Sequence, residues 1–251
     1  MRHTEKPNVR VQDGLKQPWL CGACEGHFGQ YEATFATKVF HPWHSGEYRI
    51  PYRDWMLKFA VSVSWRVLKY ARGRNPAASY SEEQERLMDE AEVCWRAFLN
   101  GEVPHPGKFE QHLLIFDFVK ETSFDDLPKN FNRFMTGAVT LDIVGSDKSL
   151  MTFAKMGRFM IFGIVQKGPN RWEGTKLHVR DGLLKPGKFV IPAGLNDLFR
   201  QKANTVSTAM AEVSDTQRAK IDKRIEENLD AFSVSDQFAS IMADADMFGV
   251  D

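Results

Sequence analysis

The sequence lacks an excess of either charge, a long apolar run and a paired-cysteine framework. Lysine plus arginine and aspartate plus glutamate each number 33 in 251 residues. The overall basic excess of proteins held mainly by phosphate contacts is therefore missing, and any nucleic-acid surface has to be local. The absence of a run near 18 apolar residues, and of a leader pattern at the start, predicts a non-secreted chain with no membrane partner. The three cysteines are odd in number, and only Cys21 and Cys24 are close together. That spacing excludes a disulfide scaffold and predicts a reducing, cytoplasmic setting. A Walker-type phosphate loop, a nucleophile elbow, a Gly-x-Gly-x-x-Gly turn and a His-Glu-x-x-His helix are all absent, so the common catalytic signatures give no lead.

A hydrophobic content of 43% is enough for one large domain or two smaller ones. Residues 1–19, with Pro7, Gly14 and Pro18 among polar residues, read as an extended arm. Helical signals run from Glu25 to Gly101: Phe28, Tyr31, Phe35 and Val39 share a face, and DWMLKFAVSVSWRVLKYA (54–71) is apolar almost all round, as a central buried helix requires. Ser81 with Gln84 suits a capping box, Leu87, Ala91, Cys94 or Trp95, and Phe98 form a stripe, and Gly101 is placed to end that helix.

From residue 109 onward the period changes. The runs 112–120, 138–144, 149–156, 158–166 and 175–180 are short, rich in β-branched and aromatic residues and bounded by turn formers, predicting a mainly antiparallel sheet. Helical patterns return over 193–204, 214–232 and 234–248. The expected fold class is α+β, with a helical N-terminal part bearing a zinc-knuckle-like cysteine pair, a central sheet and C-terminal helices. The expected regions are 1–50 (arm, Cys-x-x-Cys knuckle and helix), 51–108 (helical) and 109–251 (α+β, able to form one unit with 51–108).

Cys-x-x-Cys is a zinc-ligand spacing because a tight turn aims two thiolates at one point, and Cys21 and Cys24 flank a permissive Gly22-Ala23 pair. Zinc is the expected cofactor. His41 and His44 stand where a two-cysteine, two-histidine formula wants them. A continuous helix over 30–40, however, carries the chain about 15 Å onward, so the two pairs cannot share an ion unless the helix breaks. HPWH (41–44) therefore reads better as a loop with Pro42 as the stop and Trp43 packed inward. His27, one turn past Cys24, and His3 in the arm are the other possible ligands.

The run RVQDGLKQPWLCGACEGHFGQYEATFATKVFHP, with YRDWMLKFAVSVSWRVL behind it, resembles a group of uncharacterised bacterial proteins. In that group a first Cys-x-x-Cys and a Ser-His-x-x-Pro segment precede a region ending in QDG and a second Cys-x-x-Cys-Glu. The arrangement is similar to a treble-clef zinc domain of the HNH type, and the resemblance covers about residues 5–70. It implies a zinc-binding protein associated with nucleic acid, in defence or a mobile element. The earlier cysteine pair and the Ser-His element have no counterpart here. The resemblance thus implies a late start, a start assigned at an internal methionine, or missing ligands supplied by another chain. In an HNH nuclease the water-activating histidine belongs to that half.

Three functional readings follow. The first is a nucleic-acid-associated zinc protein, with Lys6, Arg10 and Lys16 of the arm as phosphate contacts for DNA or RNA. The second is an interaction or scaffold subunit that meets a protein partner or a second copy. The third is a metal-dependent nuclease built on the sheet from Asp142, Glu173 and Lys176, although Glu-Gly-Thr-Lys is one residue longer than the usual Glu-x-Lys. Cys94 reads as a small core residue, and Arg66 beside Trp65 as an arginine with a packed stem and a carboxylate partner.

Overall fold

Burial of one helix decides most of the architecture. In a computed structural model that describes residues 2, 3, 5–10, 19–74, 80–122, 124, 126–169 and 171–249, every residue from Met56 to Leu68 except Lys58 and Arg66 is buried. In chain order the elements are β1 (Arg2–His3), β2 (Lys6–Arg10), α1 (Gly22–Phe35), a π-helical turn (Ala36–Phe40), α2 (His41–His44), β3 (Ile50–Tyr52) and α3 (Asp54–Arg74). Then come α4 (Glu82–Leu99), β4 (Gln111–Ile115), α5 (Phe131–Gly137), β5 (Val139–Ser146), β6 (Ser149–Met156), β7 (Phe159–Gln166) and β8 (Gly182–Leu184). The chain closes with α6 (Gly194–Ala211), α7 (Asp215–Glu226), α8 (Leu229–Ser233) and α9 (Asp236–Phe248). The class is α+β, and its sheets are antiparallel.

Two units share the chain. One comprises Leu20–Ile115 and Val139–Pro192, the other Met1–Trp19, Phe116–Ala138 and Ala193–Asp251. The stretch 109–251, read from the sequence as one region, contributes to both.

In the first unit a four-stranded sheet, ordered β4-β7-β6-β5, packs on α3, which also carries α1 and α4. Small residues let helix and sheet approach closely. A Cβ on Gly163 would lie 2.5 Å from Ser64 Oγ, and Ser64 Oγ donates to Gln111 Oε1 at 2.7 Å. Aromatic rings fill the rest: Phe35 stacks on Phe59 at 4.2 Å and meets Phe159 edge-on at 5.3 Å. Arg66 runs its stem along the α3 surface and reaches Glu32 at 2.6 Å, which is how a cation survives in an otherwise apolar helix. The capping box forms as the sequence predicts, and Gly101 follows α4 with a φ of 77° that favours glycine.

In the second unit, α5 packs against α6 and α9. Asp244, buried on α9, accepts from the Asn132 N–H at 2.6 Å, the Arg133 N–H at 3.2 Å and Arg133 Nε at 2.9 Å. A carboxylate thereby satisfies the first-turn amides of α5 from across the unit. The arm is also held there: Asn8 Oδ1 accepts from the Ser214 N–H at 2.8 Å, and its Nδ2 donates to Glu212 O at 3.3 Å. Asn8 thus ties the described part of the arm to the start of α7.

Four expectations are corrected. HPWH is helical rather than a loop: the π-helical turn ahead of it shifts the bonding register, with His41 N–H donating to Ala36 O, and Pro42 takes a place near the start of α2. Trp43 is buried as expected. Residues 116–120 leave the sheet, and Val119 bonds instead to the Asn132 side chain at 2.8 and 3.0 Å. The run 175–180 makes only an isolated bridge beside β4. The helix expected over 214–232 divides at Glu227 and Asn228 into α7 and α8, since asparagine side chains compete for backbone bonds.

Candidate nucleic-acid interface and cysteine pair

The three-residue ribbon of β3 and β8 sets Tyr52 opposite Gly182. The fit is tight, for a Cβ on Gly182 would meet the Tyr52 ring at 2.1 to 2.5 Å. The Tyr52 hydroxyl accepts from the His178 N–H at 3.2 Å. Burial pushes this phenol up, against the opposing pull of the His178 amide. The next residue on each strand is then charged, and Arg53 Nε comes within 3.8 Å of Asp181 Oδ1.

Alongside β4, the extended segment through Lys176 is anchored by Leu113 N–H to Thr175 O at 2.8 Å and by Leu177 N–H to Gln111 O at 2.9 Å. Side chains alternate along such a segment. Thr175 and Leu177 are buried and Val179 is half-buried, while Lys176, His178 and Arg180 all face outward and are exposed.

Ribbon and segment meet in two adjoining concavities that share Asp181. One, of about 430 Å³, is lined by Lys38, Pro51, Tyr52, Arg53, Trp55, Asp181 and Gly182. The other, of about 440 Å³, is lined by His105 and residues 176–181. Four cations and two histidines thus confront a single carboxylate in the lining. Among the described residues Arg180 makes no ion pair, whereas Lys176 Nζ reaches Glu110 Oε1 at 2.7 Å. The Arg53–Asp181 pair leaves side chains 83% and 88% exposed, so water screens it and it contributes little.

Behind the segment lies a buried histidine. His112 Nδ1 shares a hydrogen bond of 2.8 Å with Thr175 Oγ1, and its ring lies 4.4 Å from that of Trp172. Its Nε2 has no hydrogen-bond partner among the described residues and sits 3.7 Å from Glu110 Oε2. Burial lowers its pKa to about 4, despite the opposing Glu110 carboxylate, so the ring is neutral near pH 7. Burial likewise lowers Lys155, which donates to Gly157 O at 2.7 Å, to about 7.

The cysteine pair stands at a helix start. Cys21 is the N-cap of α1, with extended φ and ψ of −73° and 159°, and Cys24 lies in the first turn. Both thiols are exposed. Cys21 makes no side-chain cap bond of good geometry, yet the Cys24 N–H and the Cys24 thiol are near enough to its sulfur to hold its pKa below the usual thiol value. The Cys24 thiol is pushed up by its hydrogen bond to Cys21 and by charge on that residue.

Among the described residues no closed zinc site is assembled. No group of three or more histidine, cysteine, aspartate or glutamate side chains converges among the described residues. His27 is exposed and shares a 2.8 Å hydrogen bond with the Tyr31 hydroxyl. His41 and His44 lie at the far end of an unbroken helical path, about 25 Å beyond Cys24 at the α-helical rise. His44 Nδ1 bonds back to Phe40 O at 2.7 Å. The His3 side chain lies outside the described residues. Two thiols alone do not make a tetrahedral site.

The other sequence candidates are dispersed. Asp142 is on β5, at the opposite edge of the sheet from β4 and Lys176, a separation of about 19 Å at usual strand spacing. Its Oδ1 accepts from the Ile143 N–H at 2.9 Å. Glu173 bridges Val190 in backbone pairing and binds Arg171 through its side chain. Lys6 is exposed on β2, while Lys16 and the Arg10 side chain lie outside the described residues. Cys94 Sγ contacts Pro106 O at 3.4 Å, and burial pushes its thiol up. Sequence reasoning missed Arg53, Arg180 and Lys38. For Arg180 the signal was the segment 167–188, which carries six lysines and arginines against Glu173 and Asp181, whereas Lys38 and Arg53 lie outside any such run. No described helix is long and apolar enough to cross a membrane. No protein-family model matches the chain, and no similar curated protein or solved structure is found.

Proposed function

We propose that the first unit binds nucleic acid through the cationic groove formed by Lys38, Arg53, Lys176 and Arg180. The observation that carries this reading is the outward row of Lys176, His178 and Arg180 beside Arg53, in a chain with no net charge. Concentrating cations on one concave surface is what phosphate recognition requires when the whole molecule has no basic excess. Trp55, half-buried in the groove wall, adds a flat face on which a base can stack, which favours a single strand. The resemblance of residues 5–70 to HNH-type zinc-domain proteins implies the same class of partner. No cleavage step is assigned, because Asp142, Glu173 and Lys176 do not converge and no other metal-ligating group forms among the described residues.

The test is fluorescence anisotropy with labelled single-stranded DNA, duplex DNA and single-stranded RNA over a salt series. Binding that weakens steeply with salt and is strongest for a single strand agrees with the reading. Absent or salt-independent binding removes it. Arg53→Ala with Arg180→Ala abolishes about half of the salt slope if two of four phosphate contacts are lost.

A further inference from the structure

The two outer edges of the four-stranded sheet differ. Along β4, Thr175 and Leu177 take up the outward backbone groups of Leu113 and Gln111 at 2.8 and 2.9 Å. Along β5, no described residue pairs with the strand from outside. We propose that this open edge pairs with a second copy of the chain, β5 against the partner's β5, antiparallel about a twofold axis at Leu141. The inference is independent of the groove and does not rest on the nucleic-acid reading.

The ladder fixes which groups are on offer. Ser146 and Ser149 close the two-residue turn Asp147-Lys148 as a hydrogen-bonded pair, and the β5–β6 register runs back to Val139 without a bulge. Thr140, Asp142 and Val144 therefore direct their backbone groups at β6, whereas Val139, Leu141, Ile143 and Gly145 direct theirs outward. The strand is eight residues long and has neither the lysine nor the proline that commonly blunts an edge. Val139 and Leu141 leave 50% and 39% of their surface exposed on it. Its one guarded amide is that of Ile143, which donates to Asp142 Oδ1 at 2.9 Å.

The sequence of the strand selects the occupant and the register. The chain has no net charge to oppose self-association. A twofold axis at Asp142 would set two carboxylates opposite each other, and one at Ile143 would set Asp142 against the partner's Val144, so neither is favourable. With the axis at Leu141, Leu141 meets the partner's Leu141, and Val139 meets the partner's Ile143, so the exposed apolar side chains are covered. Thr140 then stands opposite the partner's Asp142, where a threonine hydroxyl donates to a carboxylate. Asp142 turns to that hydroxyl, and the Ile143 amide it releases donates to the partner's Val139 carbonyl.

Sedimentation equilibrium of the full chain, from micromolar to about millimolar concentration, tests this together with hydrogen exchange across the same range. The average mass is expected to rise toward twice the 28.7 kDa of one chain, with the amides of Val139, Leu141 and Ile143 gaining protection as it does. Thr140→Asp sets like charges opposite each other in both symmetry-related pairs and is expected to weaken the dimer about tenfold. Adding Asp142→Thr to that variant exchanges the two partners and is expected to restore the parent's dimer. The exchange measurement on the parent needs no variant to fold. A mass that stays at one chain throughout overturns the proposal and leaves the edge to an extended segment of a different protein. A dimer that forms without protection of the β5 amides, or that Thr140→Asp leaves intact, also overturns it, since the two copies then meet elsewhere. Failure of the exchanged pair to restore a dimer while its circular dichroism matches the parent's overturns the register.

Discussion

Arg53 and Asp181 face each other at 3.8 Å across the junction of the two concavities. Among the described residues Asp181 is the sole carboxylate in the lining of either. The pairing of Tyr52 with Gly182 fixes this arrangement, because both charged residues continue directly from that pair. In the proposed reading Asp181 both holds Arg53 in the groove and competes with phosphate for it.

Removing that competition is expected to tighten binding. Asp181→Asn should strengthen affinity for single-stranded DNA about two- to threefold at low salt, since an exposed pair contributes on the order of 0.5 kcal/mol. Anisotropy titration checks this. Weaker binding in the variant would mean that Asp181 positions Arg53 rather than competing for its guanidinium.

The second unit depends on a buried carboxylate. Asp244→Ala leaves the first-turn amides of α5 and the Arg133 guanidinium without their acceptor, and should cost about 2–4 kcal/mol. Chemical denaturation monitored by circular dichroism measures the loss. Hydrogen exchange should show α5 amides opening first, and unchanged protection of Asn132 and Arg133 would refute the capping role.

His112 gives a pH signature. Its folded pKa is lowered to about 4, chiefly by burial, whereas an unfolded histidine titrates near 6.5. The unfolded state therefore takes up the proton first as pH falls. The resulting stability is fully present above about pH 6.5 and is lost as pH drops toward 4, amounting to about 2 kcal/mol between pH 6.5 and 5. That window lies above the ordinary carboxylate range. His112→Gln keeps a hydrogen-bonding group for Thr175 but does not titrate, so its stability should stay nearly flat from pH 6.5 to 5. Equal slopes in variant and parent would contradict the assignment.

Much of the fold was legible in the sequence because local and global signals agree in its strongest elements. The run 54–71 is apolar all round and becomes the buried α3, and the Ser81–Gln84 box starts α4 as its spacing predicts. Strands β5, β6 and β7 follow their β-branched and aromatic runs. What escaped notice depends on pairing between distant segments: the β3–β8 ribbon is only three residues long on each side, too short for a periodic signal. Pro42 misled because a proline reads as a helix stop, and the π-helical turn that accommodates it has no sequence signature of its own. The groove was half legible. Lys176 stood out, but as a member of a nuclease core, and the outward alternation of Lys176, His178 and Arg180 acquires its meaning only beside Arg53. The cysteine pair was visible at once, yet its partners depended on where the helix carries His41 and His44.

The most direct test of the central claim is the slope of log affinity against log salt for single-stranded DNA, in the parent and in a variant with Lys38, Arg53, Lys176 and Arg180 all changed to alanine. Four phosphate contacts predict a slope of about −3 in the parent, since each contact on a single strand adds about −0.7. The variant should bind weakly with a slope near zero while keeping the circular dichroism spectrum of the parent. A variant that binds with the parent's affinity and slope would place the nucleic-acid surface elsewhere and contradict the account.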